Sequence, residues 1–161
     1  MLNTTHESVT SALKRARATL AARSLNTPPA PPPRSAAEEQ LVVEFTRAFQ
    51  TADIHSLVSL LTRDIAVTMP PMPFEYQGRD VASRFLRQVV LRPGVQRRLV
   101  PTRANCQPAL AVYLNEPHTD VAHANGLLVL TLADAQISGI TRFDAGVFSR
   151  FGLPRTVAKL T

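Results

Sequence analysis

Residues Asp53 to Phe85, DIHSLVSLLTRDIAVTMPPMPFEYQGRDVASRF, decide the fold. Leu57, Leu60 and Leu61 recur at helical spacing, and Asp64 with its neighbours ends that helix into Ile65–Met69, a short run rich in strand formers. The Met-Pro-Pro-Met-Pro that follows cannot continue a ladder, because proline lacks an amide hydrogen and has a fixed φ. Tyr76-Gln77-Gly78-Arg79-Asp80 then turns into a second helix, with Asp80 as an acid in its first turn. The order is helix, strand, bend, helix.

Working outward from this stretch, Ser35 can cap a preceding helix, with Glu38 three residues on and Glu39 adding negative charge at the positive dipole end. Leu41, Val42, Phe45, Ala48 and Phe49 form the buried face of that helix, and Ala52-Asp53 bends it into the next. Downstream, strands are expected over Gln96–Ala104, Pro108–Leu114, Ala122–Leu132 and Gln136–Asp144, each bounded by turn formers. Their short separations imply antiparallel pairing. Phe148, Phe151 and Leu153, followed by Pro154, read as a short tail packed on the sheet. The fold expected is α+β, a cone formed by a bent sheet around helices.

The N-terminal arm has a different character. Thr4-Thr5-His6-Glu7 fits a capping box, and Val9, Ala12, Leu13, Ala16 and Leu20 form one apolar stripe of a helix with Ser8, Ser11, Lys14, Arg15 and Arg17 largely off it. Residues 24–35, SLNTPPAPPPRS, favour extended polyproline II geometry and read as a semi-rigid linker. Of the net charge of +6, the first 35 residues carry +4, so any attraction for nucleic acid starts there. The 161 residues suffice for one ordinary domain with an appended segment. A single cysteine, Cys106, excludes an internal disulfide and a cysteine metal cluster. No apolar run approaches the roughly 20 residues of a membrane helix, and the polar start does not resemble a secretion signal. A cytoplasmic location without membrane contact is the expectation.

The helix, strand, bend, helix order with long strands after it resembles the SnoaL-like branch of the NTF2-like superfamily. Three segments, MPPMPFEYQGRD (69–80), RLVPTRANCQPALAVY (98–113) and ITRFDAGVFSRFGLPRT (140–156), extend the resemblance to the C-terminal domain of one group of extracytoplasmic-function sigma factors. ESVTSALKRARATL (7–20) is similar to the recognition helix that ends sigma region 4 in that group. The resemblance implies a region 4 remnant over 1–23, the linker over 24–35 and a SnoaL-like domain over 36–157. It implies regulation without catalysis, with RNA polymerase and the sigma core domains as partners. Ser8, Ser11, Lys14 and Arg15 would face DNA. Region 2 is not in the chain, so the chain is expected to be the C-terminal part of such a factor. One helix without its scaffold cannot hold a groove-reading geometry, so promoter DNA is a partner only if the missing regions are supplied. The Asn105-Cys106 pair departs from the Asn-Gly turn of relatives, which argues against a simple type I′ hairpin there.

The rival hypothesis is a stand-alone protein of the same fold that binds a small apolar ligand or acts as an isomerase or cyclase; a homodimer through the sheet face is a third. Proton abstraction next to a carbonyl needs a carboxylate in an apolar pocket and a donor for the oxyanion. Asp144 is the only acid set late in an expected strand; Asp64, Glu116, Asp120 and Asp134 lie at turns. The acid, arginine, acid trio of limonene-epoxide hydrolases has no matching positions. His6, His55, His118 and His123 have neither the spacing nor the companions of a metal site, and no cofactor is implied. The residues expected at the cone mouth are Met69, Tyr76, Arg103, Asn105, Phe143 and Asp144. Arg103 and Asn105 share strand parity, so they should face the same side.

Overall fold

The computed structural model describes residues 9–15, 17–18, 28–92 and 94–159. Helix α1 (Ala36–Gln50) starts as its sequence dictates: the Ser35 hydroxyl accepts the Glu38 amide at 3.3 Å, and Glu38 and Glu39 lie in the first turn. Ala52 takes a left-handed φ of 55° at the bend, and the Asp53 carboxylate accepts the Ser56 amide at 3.0 Å to cap α2 (Ile54–Ser59). Helix α2 ends five residues before Asp64, and strand β1 already runs over Leu61–Thr68. The helical spacing of Leu57, Leu60 and Leu61 is therefore broken before Leu61. The Leu60 carbonyl accepts the Ile137 amide at 2.8 Å, and Leu61 and Ile65 are fully buried against the sheet, so strand pairing outweighs local periodicity.

The proline bend contains a cis Pro70–Pro71 bond and is closed by the Met69 amide donating to the Phe74 carbonyl at 3.3 Å. It returns the chain as β2 (Glu75–Gln77), antiparallel to β1. Helix α3 (Arg79–Phe85) follows and loosens into a π-helical turn over Leu86–Val90. Strands β3 (Arg97–Ala104), β4 (Gln107–Asn115), β5 (Val121–Ala133) and β6 (Gln136–Asp144) lie within one residue of the expected bounds. A 3-10 helix (Ala145–Phe151) and β7 (Thr156–Ala158) complete the tail.

The sheet order is β2-β1-β6-β5-β4-β3, with β7 pairing the start of β5 beyond the end of β6. The β1–β6 pair is parallel and the other pairs are antiparallel. Two bulges bend the antiparallel part of the sheet, and the β1–β6 register also shifts between Leu61 and Ala66. Asn125 is the extra residue where Val112 faces Gly126 but Tyr113 faces Ala124, and Ser138 is the extra residue where Thr131 faces Gly139 but Leu132 faces Ile137. A bulge sharpens the local twist and re-aims side chains, which is how a flat ladder becomes a cone. The β3–β4 hairpin corrects the sequence reading. Ala104 pairs with Gln107 across a two-residue turn in which Asn105 (φ 49°) and Cys106 (φ 63°) are both left-handed, as a type I′ turn requires. Asn tolerates this conformation; Cys106 is held in it by its carbonyl, which accepts from the Arg103 guanidinium at 2.5 Å.

Alternation along the strands gives the sheet two buried faces. Leu110, Val112, Leu128, Leu130 and Ile140 face inward to α1 and α2, where they meet Leu41, Phe45, Phe49 and Leu57. Ala109, Ala111, Tyr113, Leu127 and Val129 face outward and are covered by Phe148 of the tail, the small alanines leaving room for it. Tyr113 stacks edge-on against Phe148 and donates its hydroxyl to the Pro154 carbonyl at 3.0 Å. At the N-terminal side, Pro29 accepts the Asp134 amide at 2.9 Å, so the end of the proline-rich stretch is hydrogen-bonded to the β5–β6 turn. Residues 9–15 and 17–18 are helical, with Val9 and Leu13 of the apolar stripe exposed. Ser11, Lys14 and Arg15 fall on that helix, and Ser8 lies outside the described residues.

Candidate functional site

Between the inner face of the sheet, α1, the proline bend and α3 lies a cavity of about 520 Å³. Its floor is apolar and buried, made by Phe49, Val67, Met69, Leu86, Val112, Leu128 and Ile140. Its rim is exposed, made by Met72, Phe74, Arg92 and Val95. Tyr76 and Phe85 stack on one wall with ring centroids 4.2 Å apart. The polar lining is Arg97 from β3, Asn125 from the β5 bulge and Arg142 from β6, with Arg92 at the rim. Among the described residues, no aspartate, glutamate or histidine lines this cavity.

Each polar group has a local reason for its place. Arg97 shares parity with Leu99 on the inner face, and its guanidinium donates to the carbonyls of Val95 at 2.6 Å and of Val90. It is only 6% exposed, and burial lowers its pKa from the ordinary value; an arginine still stays protonated at neutral pH. Arg142 lies one residue before Phe143 and so on the opposite face, inside. Its guanidinium donates to the Asn125 carbonyl at 3.1 Å and side-chain oxygen at 3.4 Å, and rests over Gly126. The bulge is what turns Asn125 toward it.

Of the residues expected at the cone mouth, Met69 and Tyr76 line the cavity and four do not. Phe143 faces outward and packs with the tail cluster. Asp144 caps the 3-10 helix, its carboxylate accepting the Gly146 amide at 2.7 Å, because the strand ends at that residue. Asn105 lies in the hairpin turn, where strand parity no longer applies. Arg103 is on the inner face, but six residues beyond Arg97, about 20 Å along an extended strand. Arg97, Asn125 and Arg142 were missed by the sequence reading. Parity from Leu99 could have found Arg97; the bulge that presents Asn125 leaves no local signal.

Arg103 instead forms a bidentate pair with the buried Glu38, at 2.5 and 3.3 Å. Glu38 also accepts the Arg34 amide at 3.1 Å, one residue before the cap, so the capping box is shifted outward by one position. The Arg103 hydrogen bond is the largest of the influences that hold the Glu38 carboxyl below its ordinary value of 4.5, against the opposing effect of burial. A lowered carboxylate pKa adds stability that is present above the unfolded value and lost as pH falls through the folded one. With Arg103 28% exposed, Glu38→Gln is expected to cost about 1–2 kcal/mol at pH 7, between a surface pair and a buried one. Urea unfolding at pH 7 and at successive values below 4.5 should show the gap between wild type and variant closing as the medium becomes more acid. A gap that stays constant would contradict the ion pair.

One further ion pair and one thiol lie outside the cavity. His123 and Glu116 form an exposed pair at 2.8 Å, and Cys106 is an exposed thiol. Among the described residues no cluster of three His, Cys, Asp or Glu side chains could hold a metal ion, and no helix is long and apolar enough to cross a membrane.

The bent sheet wrapped around helices, with its apolar cavity, is the NTF2-like cone of the SnoaL-like type. It aligns with an NTF2-like protein of unknown function from Mesorhizobium loti (TM-score 0.57, 17% identity, 71% of this chain and 95% of that one). A candidate SnoaL-like polyketide cyclase from Shewanella putrefaciens gives 0.53 at 18% identity, over 73% of this chain and 97% of the other. At these identities the fold alone is shared. In sequence, the chain is 33% identical over 162 aligned residues to the ECF RNA polymerase sigma factor SigG of Mycobacterium tuberculosis, covering 95% of this chain. The chain spans 42% of the length of that relative. No family model matches the chain.

Proposed function

We propose that this chain is the C-terminal part of an extracytoplasmic-function sigma factor, in which the cone contacts the sigma core domains and tunes promoter-dependent initiation by RNA polymerase. The observation that carries this reading is the 33% identity with SigG along 95% of the chain, which takes in both the cone and the segment before it. Among the described residues, the polar groups that line the cavity are arginines, an asparagine and the Tyr76 hydroxyl, with no carboxylate among them. RNA polymerase and, with the remaining sigma regions supplied, promoter DNA are then the partners, and the site of action is the cytoplasm.

The test uses the 161-residue chain and a SigG variant truncated to remove the matching segment, assembled with core polymerase. Biolayer interferometry should show saturable binding of the chain to that assembly, and run-off transcription should change by about threefold or more on its addition, a modest coupling free energy. Absence of binding at high micromolar concentration, together with unchanged transcripts, would sink the proposal.

A further inference from the structure

We propose that the cavity is a binding site for an amphiphilic anion, a small molecule whose flat apolar body lies among Met72, Phe74, Tyr76 and Phe85 and whose carboxylate or other oxyanion meets Arg142. The inference stands on the site itself and is independent of the regulatory reading.

Four observations carry it. The volume of about 520 Å³ falls inside the usual range for small-molecule sites. The lining is largely apolar and partly aromatic, which suits a ring-bearing body more than a peptide or a sugar. The charge of the lining has one sign: Arg92, Arg97 and Arg142 contribute three guanidinium groups, with no acid beside them among the described residues. The ion pairs of the described residues, Arg103 with Glu38 and His123 with Glu116, involve none of the three.

Arg142 is the residue poised for the anion. Its contacts with Asn125 use one terminal nitrogen, so the rest of a planar five-donor fork remains for a carboxylate, which it matches bidentately. Arg97 supplies the electrostatic background. It is 6% exposed and hydrogen-bonded to backbone carbonyls, and among the described residues it has no counter-charge to offset its desolvation. A buried cation without a counter-charge raises the attraction for any anion entering the same low-dielectric space. A neutral ligand of the same shape gains the apolar contacts but neither electrostatic contribution.

Three matched probes separate shape from charge: 2-naphthoate, 2-naphthalenemethanol and 2-naphthylmethylammonium, titrated calorimetrically into the full chain. Naphthoate should bind about tenfold or more tighter than the alcohol, with the ammonium weakest. In Arg142→Met the preference of acid over alcohol should fall to within about twofold, while the alcohol, which reports an intact cavity, keeps its affinity. Arg142→Lys should retain part of the preference. Equal affinities for acid and alcohol in the wild type, or no binding of any probe, would overturn the proposal without reference to a variant. A preference undiminished in Arg142→Met would overturn the role of Arg142.

Discussion

Replacing Phe45 with alanine is expected to lower the unfolding free energy by about 3–5 kcal/mol. Phe45 is fully buried in the middle of α1, and its ring lies 5.7 Å from that of Phe49. Both rings press the helix onto the inner sheet face, among Leu110, Leu128 and Leu130. Removing the ring takes apolar area out of contact and leaves a void that a helix pinned at both ends cannot collapse into. One end is pinned by Glu38 and Arg103, the other by the Gln50 side chain, which accepts the Leu99 amide of edge strand β3 at 2.8 Å. The apparent melting temperature should fall by about 10 °C for a domain of this size. Because Phe49 also lines the cavity, the same variant should weaken probe binding. Chemical denaturation would settle the matter: a loss below about 1 kcal/mol would mean that α1 is not the lid of the core.

Gly126→Ala is expected to cost about 2–3 kcal/mol for the opposite reason, too many atoms rather than too few. A Cβ at this position would stand 2.6 Å from the Phe143 carbonyl oxygen and 3.2 Å from an Arg142 guanidinium nitrogen. The first contact is with backbone of the paired strand, so β6 must move. The second displaces the arginine that faces the cavity. Gly139→Ala provides the comparison. Its added carbon would meet the Thr131 Cβ at 3.1 Å, a contact that a shift of a few tenths of an ångström relieves, whereas 2.6 Å to a backbone oxygen needs a larger one. Thermal unfolding of the two variants should therefore rank Gly126→Ala well below Gly139→Ala. Equal melting temperatures would show that the β5–β6 pairing near the bulge is looser than the geometry requires.

The order of elements was legible because each has a local cause. Ser35 with Glu38 starts a helix, prolines 70, 71 and 73 stop a strand, and the alternation of Leu110, Val112 and Leu114 marks an inner face. The end of α2 was misread because leucines at helical spacing also satisfy a buried strand, and only the hydrogen bond from Ile137 to Leu60 decides between them. The Asn105-Cys106 turn was misread because cysteine has no intrinsic preference for a positive φ; the strands on either side, paired from Ala104–Gln107 onward, impose it.

The candidate site was less legible than the fold. Met69 and Tyr76 flank the proline bend, so a local signal places them. Of the other four, Phe143 faces outward, since one residue along a strand exchanges inside for outside; Arg103 faces inward but too far along its strand, and Asn105 and Asp144 sit where strands end. By itself the sequence determined the α+β class, the two faces of each strand and the caps of the helices, since these depend on interactions a few residues apart. Only the tertiary structure decided which polar groups share the cavity. Arg97, Asn125 and Arg142 come from three strands, and what brings them together is the curvature introduced by a bulge, a property of paired strands that no single stretch of chain encodes.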